Sequence, residues 1–338
     1  MKKLIFTLFA CAQFLFAYSQ YNSVNLKADF TSGNIYTYGN LRLYPVMANE
    51  VFLALHKNIG EYTVLADAVA TNKISVTELS QSGSVNTLYA ENLSQDSIYV
   101  MAGEIVKGGK QDRIIAQDFI LAPGEKVDVG AFCVEHGRWT AGGAASNIST
   151  ITEEGNNADF NYEETSNLSL KVAAFKTTSK VVSADVREAA VVKKNQSEVW
   201  EEVADVTEKN DATSGTGTYN ALDNSTAFQD SLKNYLSYFS SLYKNDKTIV
   251  GVVAVTGDKI IGADLFATNN LFINQYDNLL HSYITDAITN GSAITINSSD
   301  VQKYLDEFLA DELLQKAVLE KDGSQFEHKG FVLHCVRF

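Results

Sequence analysis

Apolar and polar positions change their rhythm partway along this 338-residue chain. Between residues 21 and 140 the apolar residues come in short runs bounded by Gly, Ser, Asn and Asp, the signature of strands and turns. Leu41-Arg42-Leu43-Tyr44 alternates and is followed by Pro45; Val85 to Ala90 and Ser97 to Ile105 are apolar runs; Thr63 to Ala70 reads as a short helix. From about residue 183 the spacing lengthens to three and four. Ser183 to Ala204 predicts a helix with a break near Asn195. Asn224-Ser225 caps a second helix, with Phe228, Leu232, Tyr235, Leu236, Phe239 and Leu242 on one face. Leu271 to Ile288 is a third, striped by Phe272, Tyr276, Leu279, Tyr283 and Ala287, and Ser299-Asp300 opens a fourth that runs through Tyr304 and Phe308 to Leu313-Leu314. Thr248 to Val255 and Lys259 to Phe266 flank Thr256-Gly257-Asp258 as a hairpin, and Gly330 to Phe338 closes the chain as a strand. Two stretches lack a period and predict flexible loops, near 141–167 and 207–219. The pattern predicts one α+β domain over 21–338: an N-terminal antiparallel β-rich half packed with a C-terminal half of helices around a β-hairpin.

Chemistry concentrates where three of the predicted strands meet. One strand ends in the loop Lys107 to Asp112, the next runs from Arg113 to Leu121, and Ala122-Pro123-Gly124-Glu125 turns the chain into a third, Lys126 to Val134. As an antiparallel meander, these bring Glu135-His136-Gly137-Arg138-Trp139 to the same sheet end as the loop. Gly108 and Gly109 permit a sharp turn with bare N–H groups, and Gln111 offers a donor and an acceptor. Arg113 and Arg138 supply planar forks suited to a carboxylate or phosphate. Composition strengthens this reading: the chain holds 5 Arg against 22 Lys, and two of the five fall here with one of the two Trp residues. These positions are the candidate ligand-binding set, with Trp139 stacking on a ring.

Three acids are candidates for catalysis. Glu135 continues the inward alternation of Val127, Val129, Ala131 and Cys133; Glu104 precedes the loop; Asp264 lies inside Ile260-Ile261-Gly262-Ala263-Asp264-Leu265-Phe266. A buried carboxylate needs a partner or a shifted pKa. The alternative is structural: Glu104–Arg113 or Glu135–Arg138 as ion pairs, Asp264 as a helix cap, and a local hydrogen bond for Ser282 and Asp286. His136 and His281 read as a loop and a packing residue.

The first twenty residues follow a different logic. Lys2 and Lys3 precede an apolar run from Leu4 to Ala17, with Ala17-Tyr18-Ser19-Gln20 as a cleavage region, which predicts a signal peptide and a periplasmic or extracellular protein. Leu8-Phe9-Ala10-Cys11 resembles a lipobox, so a lipid anchor on Cys11 is the alternative. Loss of Lys2 and Lys3 leaves 25 basic against 41 acidic residues. So acidic a chain repels phosphate backbones, which sets nucleic acid aside as a partner. No later run reaches the length of a membrane-spanning helix. Cys133 and Cys335 lie in apolar runs, as free thiols or a disulfide. No CxxC, HxH or HExxH, P-loop or nicotinamide fingerprint occurs, and the residues leave the cofactor undetermined, with a carboxylate-held Mg²⁺ or Ca²⁺ as one option for a hydrolase.

The residues 82–139, "SGSVNTLYAENLSQDSIYVMAGEIVKGGKQDRIIAQDFILAPGEKVDVGAFCVEHGRW", resemble the core of the ARPP domain, whose name marks association with ADP-ribosylglycohydrolases and rhodanese-like phosphatases. "QSEVWEEV" at 196–203, "VTGDKIIGADLF" at 255–266 and "LLHSYITDAI" at 279–288 extend the resemblance to residues 35–336. It implies motif positions at Glu104, Gly108, Gly109, Gln111, Arg113, Cys133, Glu135, Arg138, Trp139, Asp264, Ser282, Tyr283 and Asp286, but names no chemistry. Three functions follow as expectations. The first is binding of a small anion, such as a phosphorylated sugar or nucleotide fragment. The second is carboxylate-dependent hydrolysis of an ADP-ribose-like or phosphate-containing substrate, and the third is a structural role in the cell envelope.

Overall fold

The computed structural model describes residues 19–32, 35–79, 86–137 and 175–338. In chain order the strands and helices begin with β1 (Leu26–Ala28), β2 (Thr37–Tyr38), β3 (Leu41–Ala48), α1 (Glu50–His56), β4 (Thr63–Val64), α2 (Leu65–Ala70), β5 (Ile74–Glu78) and β6 (Thr87–Asn92). There follow β7 (Ile98–Val100), β8 (Glu104–Gly108), β9 (Arg113–Ile115), β10 (Phe119–Leu121), β11 (Lys126–Cys133) and β12 (Phe175–Val181). The C-terminal half holds α3 (Ala184–Glu188), α4 (Gln196–Lys209), α5 (Thr226–Phe239), β13 (Ile249–Thr256), β14 (Lys259–Phe266), α6 (Asn269–Thr289), α7 (Ser298–Phe308), α8 (Glu312–Asp322), β15 (Gly323–His328) and β16 (Phe331–Arg337). This is the expected α+β class.

Three sheets organise these elements. One has the order β1-β3-β13-β14-β16-β15 with β2 paired to β3; a second is β12-β8-β9-β11-β6-β5; a small third is β10-β7-β4. The first sheet is covered on both sides. β13 is buried along its whole length, and its side chains divide between two cores. Val252 and Ala254 meet α5 and α6 residues such as Phe239 and Phe272. Val250, Val253 and Val255 meet Phe52 of α1 and Phe308 of α7. Two-sided burial explains why this strand reads as a continuous apolar run instead of alternating. The second sheet wraps its own apolar interior around Val106, Ile115 and Val129, closed by Leu65 of α2.

The second and third periodic helices form largely as read. Ser225 caps α5, accepting from the Phe228 amide, and α6 buries Phe272, Tyr276, Leu279, Tyr283 and Ala287. The break near Asn195 is real: a π turn over Ala189–Lys193 ends with Lys194 in the left-handed region, and Asn195 caps α4.

Several boundaries differ from the sequence reading. Pro45 lies inside β3. Its carbonyl accepts from the Asp29 amide at 2.9 Å, but it has no N–H for the return bond, and β1 pairing stops at Ala28. The run Ser97–Ile105 is two strands in two sheets, joined at Ala102-Gly103, and Arg113–Leu121 is likewise split. Thr63-Val64 pair with β7 before α2 begins. The helix expected through Leu314 is two, and Leu313 and Leu314 are exposed. The strand β15 has no sequence signal, because its apolar positions are too sparse. α4 runs through Lys209, so less of 207–219 is irregular than expected. Residues 1–18 of the expected 1–20 leader, with Cys11, the loop 141–167, and Arg138 and Trp139 lie outside the described residues, while Gln20 is described and bonded to the Gly330 carbonyl and the Val332 amide.

Candidate functional site

The meander β8-β9-β11 is antiparallel, and the two polar loops do meet at one sheet end. The Val134 amide donates to the Asp112 carbonyl at 3.0 Å, and the Gln111 side-chain amide donates to the Glu135 carbonyl at 2.7 Å. The loop's own N–H groups are held by carboxylates of the chain. Gly108 donates to Asp112 Oδ1 at 3.0 Å, Lys110 to Glu78 Oε1 at 2.8 Å, and Asp112 to Glu135 Oε2 at 3.0 Å. Glu135 is therefore a backbone acceptor at this end. Lys110, Gln111, Asp112, Arg113 and Glu135 are all buried.

The glycine requirement has a local cause. Gly109 sits at φ +53°, where a Cβ would run into the Phe175 ring and the Glu78 carboxylate. Gly109→Ala is expected to lower stability by at least roughly 1–2 kcal/mol from the left-handed backbone alone, measurable as a lower urea midpoint with an unchanged slope.

From the loop the contacts lead into the helical half. Asp112 Oδ2 accepts from Asn220 Nδ2 at 2.7 Å and from Thr218 Oγ1 at 3.0 Å. Gln196, the first residue of α4, clamps the Cys133 backbone through two 2.8 Å bonds. Burial pushes the Cys133 thiol up to about 11, and Cys335 is raised further for the same cause. Both cysteines are free and buried, and so high a thiol pKa excludes a ready nucleophile.

Glu104 and Asp264 belong to a second cluster. Glu104 opens β8 and Gly108 closes it, about 13 Å apart at strand rise. Asp264 is not a helix cap, a role Thr268 fills; its partner is Arg187 of α3. Arg187 Nη1 donates to Asp264 Oδ2 at 3.0 Å, and Nη2 lies 2.8 Å from Oδ1. The Tyr283 hydroxyl also donates to Asp264, and His334 Nε2 lies 2.8 Å from Oδ1. His334 Nδ1 lies 2.6 Å from Asp118 Oδ2, which also accepts from the Tyr99 hydroxyl at 2.8 Å. Gly103, at φ +89°, leaves the room that Arg187 fills on its way to the Ala102 carbonyl.

The charges of this hub can be counted. Both His334 nitrogens face carboxylate oxygens, so both must donate, which makes the ring an imidazolium. Burial lowers its pKa, but Asp118 and Asp264 outweigh burial and the net direction is up. Burial raises Asp264, yet Arg187 and His334 hold it well below the usual carboxylate range. Arg187 and His334 thus balance Asp118 and Asp264. Glu104 is left over. It accepts from the Met101 amide at 2.7 Å, but burial, with Asp118 adding to it, pushes its pKa up to about 8.

Sequence reading singled out Asp264, Glu104 and Tyr283 but missed Arg187, His334, Asp118 and Tyr99. Signals existed: Arg187 is one of five arginines, and His334 interrupts the apolar strand Phe331-Val332-Leu333. The remaining motif residues, Ser282 and Asp286, lie four apart on α6. Asp286 Oδ2 accepts from the Ala184 amide at 2.7 Å, and among the described residues Ser282 has no side-chain partner.

Among the described residues no helix is long and apolar enough to cross a membrane. No curated protein and no solved structure matches the chain. The model of the ARG and Rhodanese-Phosphatase-superfamily-associated Protein domain matches residues 29–337 and so takes in both the glycine loop and the Asp264 hub. This chain belongs to that family, ARPP-1.

Proposed function

We propose that the chain is an exported module that binds a small anion, a phosphorylated sugar or nucleotide fragment, in a cleft beside α5 and α6. The observation that carries this reading is the cleft's charge. In a chain of net charge −14, a cleft of about 400 Å³ is lined by Lys180, Lys233, His281, Gln229, Ser237 and Ser240, with no acid among its lining residues. Its volume suits a small ligand. Lys180 is paired with Asp223, while Lys233 is exposed with no ion-pair partner among the described residues. Lys180 and His281 also line a smaller cavity walled by Asn220, and Asn220 is the residue that Asp112 holds. The glycine loop therefore positions the inner wall; its amides are occupied, so the anion is met by side chains. Arg138 and Trp139 remain candidate ligand residues on the strength of the sequence alone. Export rests on the Lys2 to Ala17 pattern.

Thermal shift and calorimetry with ADP-ribose, ribose 5-phosphate and inorganic phosphate test the reading. At least one is expected to bind, and Lys233→Glu is expected to weaken it by about tenfold or more, as loss of a charge-assisted contact plus repulsion demands. Burial, then Lys180, holds His281 down at about 4; bound anion is expected to raise it, read by NMR. If no anion binds, or Lys233→Glu binds equally well, the proposal fails and a structural role stands.

Hydrolysis is the second reading. It is favoured by the divergence of Glu104 from Asp264 in one hub, since acid–base pairs are built from carboxyls driven apart in pKa. Loss of turnover in a folded Glu104→Gln variant would support it; absence of turnover in the parent protein removes it.

A further inference from the structure

Lys180 reaches the anion cleft because its strand leaves the ladder. β12 pairs with β8 at Thr177 opposite Val106 and again at Val181 opposite Glu104, so four steps along β12 match two along β8. A bulge of this kind bends a strand and re-aims its side chains. Lys180 lies within it and lines both the cleft and the smaller cavity. Asp223 pairs with Lys180 but lines only the cavity. Neither partner is sealed in: the Lys180 and Asp223 side chains are 23% and 38% exposed. Asp223 is held in place from the glycine loop. It sits in a 3₁₀ turn over Tyr219–Asn224. Asp112 accepts from the Gly108 amide on one carboxylate oxygen and from Asn220 and Thr218 on the other. The Tyr219 amide donates to the Val134 carbonyl at 2.9 Å, and the Tyr219 hydroxyl accepts from the Ser183 amide at 2.9 Å. With the turn fixed, Lys180, a point charge on a flexible four-carbon stem, is the partner free to move.

We propose that Asp223 sets the affinity of the cleft by competing with the ligand's phosphate for Lys180, an inference that rests on the anion-binding reading above. A carboxylate already in contact with a cation subtracts from what an arriving anion gains there, and a partly exposed pair is weak enough to be exchanged. Lys233, exposed on α5, meets the phosphate directly; Lys180 meets it only by letting go of Asp223. The glycine loop then acts on the ligand through Asn220, with no amide of its own in the site, by keeping the competing carboxylate where it is. Such competition trades strength for selectivity. An anion that engages both lysines displaces Asp223, and one that reaches Lys233 alone does not.

Inorganic phosphate, the group common to the candidate ligands, is the probe, titrated into the full chain by calorimetry at neutral pH and constant ionic strength. Asp223→Asn is expected to bind it about threefold more tightly than the parent, the scale of a partly screened ion pair. A residue with a merely structural role would not tighten binding when replaced. Lys180→Met is expected to weaken binding, and in that background Asp223→Asn is expected to change affinity little, since the competition acts through Lys180. Asp223→Ser repeats the test if the asparagine variant melts early. Phosphate binding by the parent with no gain in either Asp223 variant overturns this inference and leaves the anion site standing. A gain that persists undiminished in Lys180→Met also overturns it, as a general effect of charge. Absence of phosphate binding in both the parent and Asp223→Asn removes the inference and the anion reading together.

Discussion

Asp264→Ala will cost the fold about 3–5 kcal/mol, the penalty for stranding a buried charge. Asp264 is 1% exposed and satisfies Arg187, His334 and Tyr283 together. Removing it leaves two cations facing Asp118 alone, in a place water does not reach. Urea unfolding of the purified protein checks the value. A double-mutant cycle gives the sharper result: Arg187→Met combined with Asp264→Leu should cost much less than the sum of the two single changes, because no charge is stranded. A loss below about 1 kcal/mol for Asp264→Ala, the range of an exposed pair, would contradict the hub as described.

Glu104→Gln will stabilise the protein as pH rises. In the folded chain the Glu104 carboxyl is raised to about 8 from 4.5, so the folded state favours its protonated form. That stabilisation is complete below 4.5 and is lost as pH climbs toward 8. At about 1.4 kcal/mol per pH unit the loss is roughly 3–5 kcal/mol across the window. Glutamine keeps the acceptor for the Met101 amide and cannot ionise. The two proteins should therefore melt together near pH 4.5 and diverge steadily up to pH 8, the variant higher. His334 also loses stabilisation with rising pH, and His281 loses it as pH falls from 6.5 to about 4, but both are present in both proteins. The difference curve isolates Glu104; parallel melting curves across the window would show that it does not titrate as described.

What could be read from the sequence divides by range. Local signals were sufficient for α5, α6, the β13–β14 hairpin and the break at Asn195, because caps, spacing and turn residues act within a few positions. The meander, and the meeting of Gln111 with Glu135, followed from counting turns. The failures are non-local. Ser97 to Ile105 looks like one strand because nothing local distinguishes the sheet holding Ile98–Val100 from that holding Glu104–Gly108. Asp264 was recognisable as an acid in need of a partner, yet Arg187 lies 77 positions away on a helix that reads as ordinary. His334 meets Asp264 because β14 and β16 pair antiparallel, with Phe266 opposite His334, a register no composition reveals. The glycine loop suggested an anion cradle, but the amides of Gly108, Lys110 and Asp112 are taken by Asp112, Glu78 and Glu135 in turn, and the approach of Glu78 and Glu135 depends on strands β5 and β11.

The order of strands in the large sheet sets when this protein can be finished. Residues 41–48 pair early with β1 and β2 along one edge, but their other edge has no neighbour until 249–256 arrive, and β14 stays an open edge until β16 is in place. A molecule dominated by such distant pairings pays its loop-closure entropy early and collects its reward late, so folding on the slow, millisecond-to-second side is expected. During synthesis Asp264 and Arg187 wait for His334, and a chain stalled before residue 331 exposes the edge of β14 to any passing strand. Copies cut short before residue 331 are thus candidates for chaperone capture, with the β14 edge as the surface that is held.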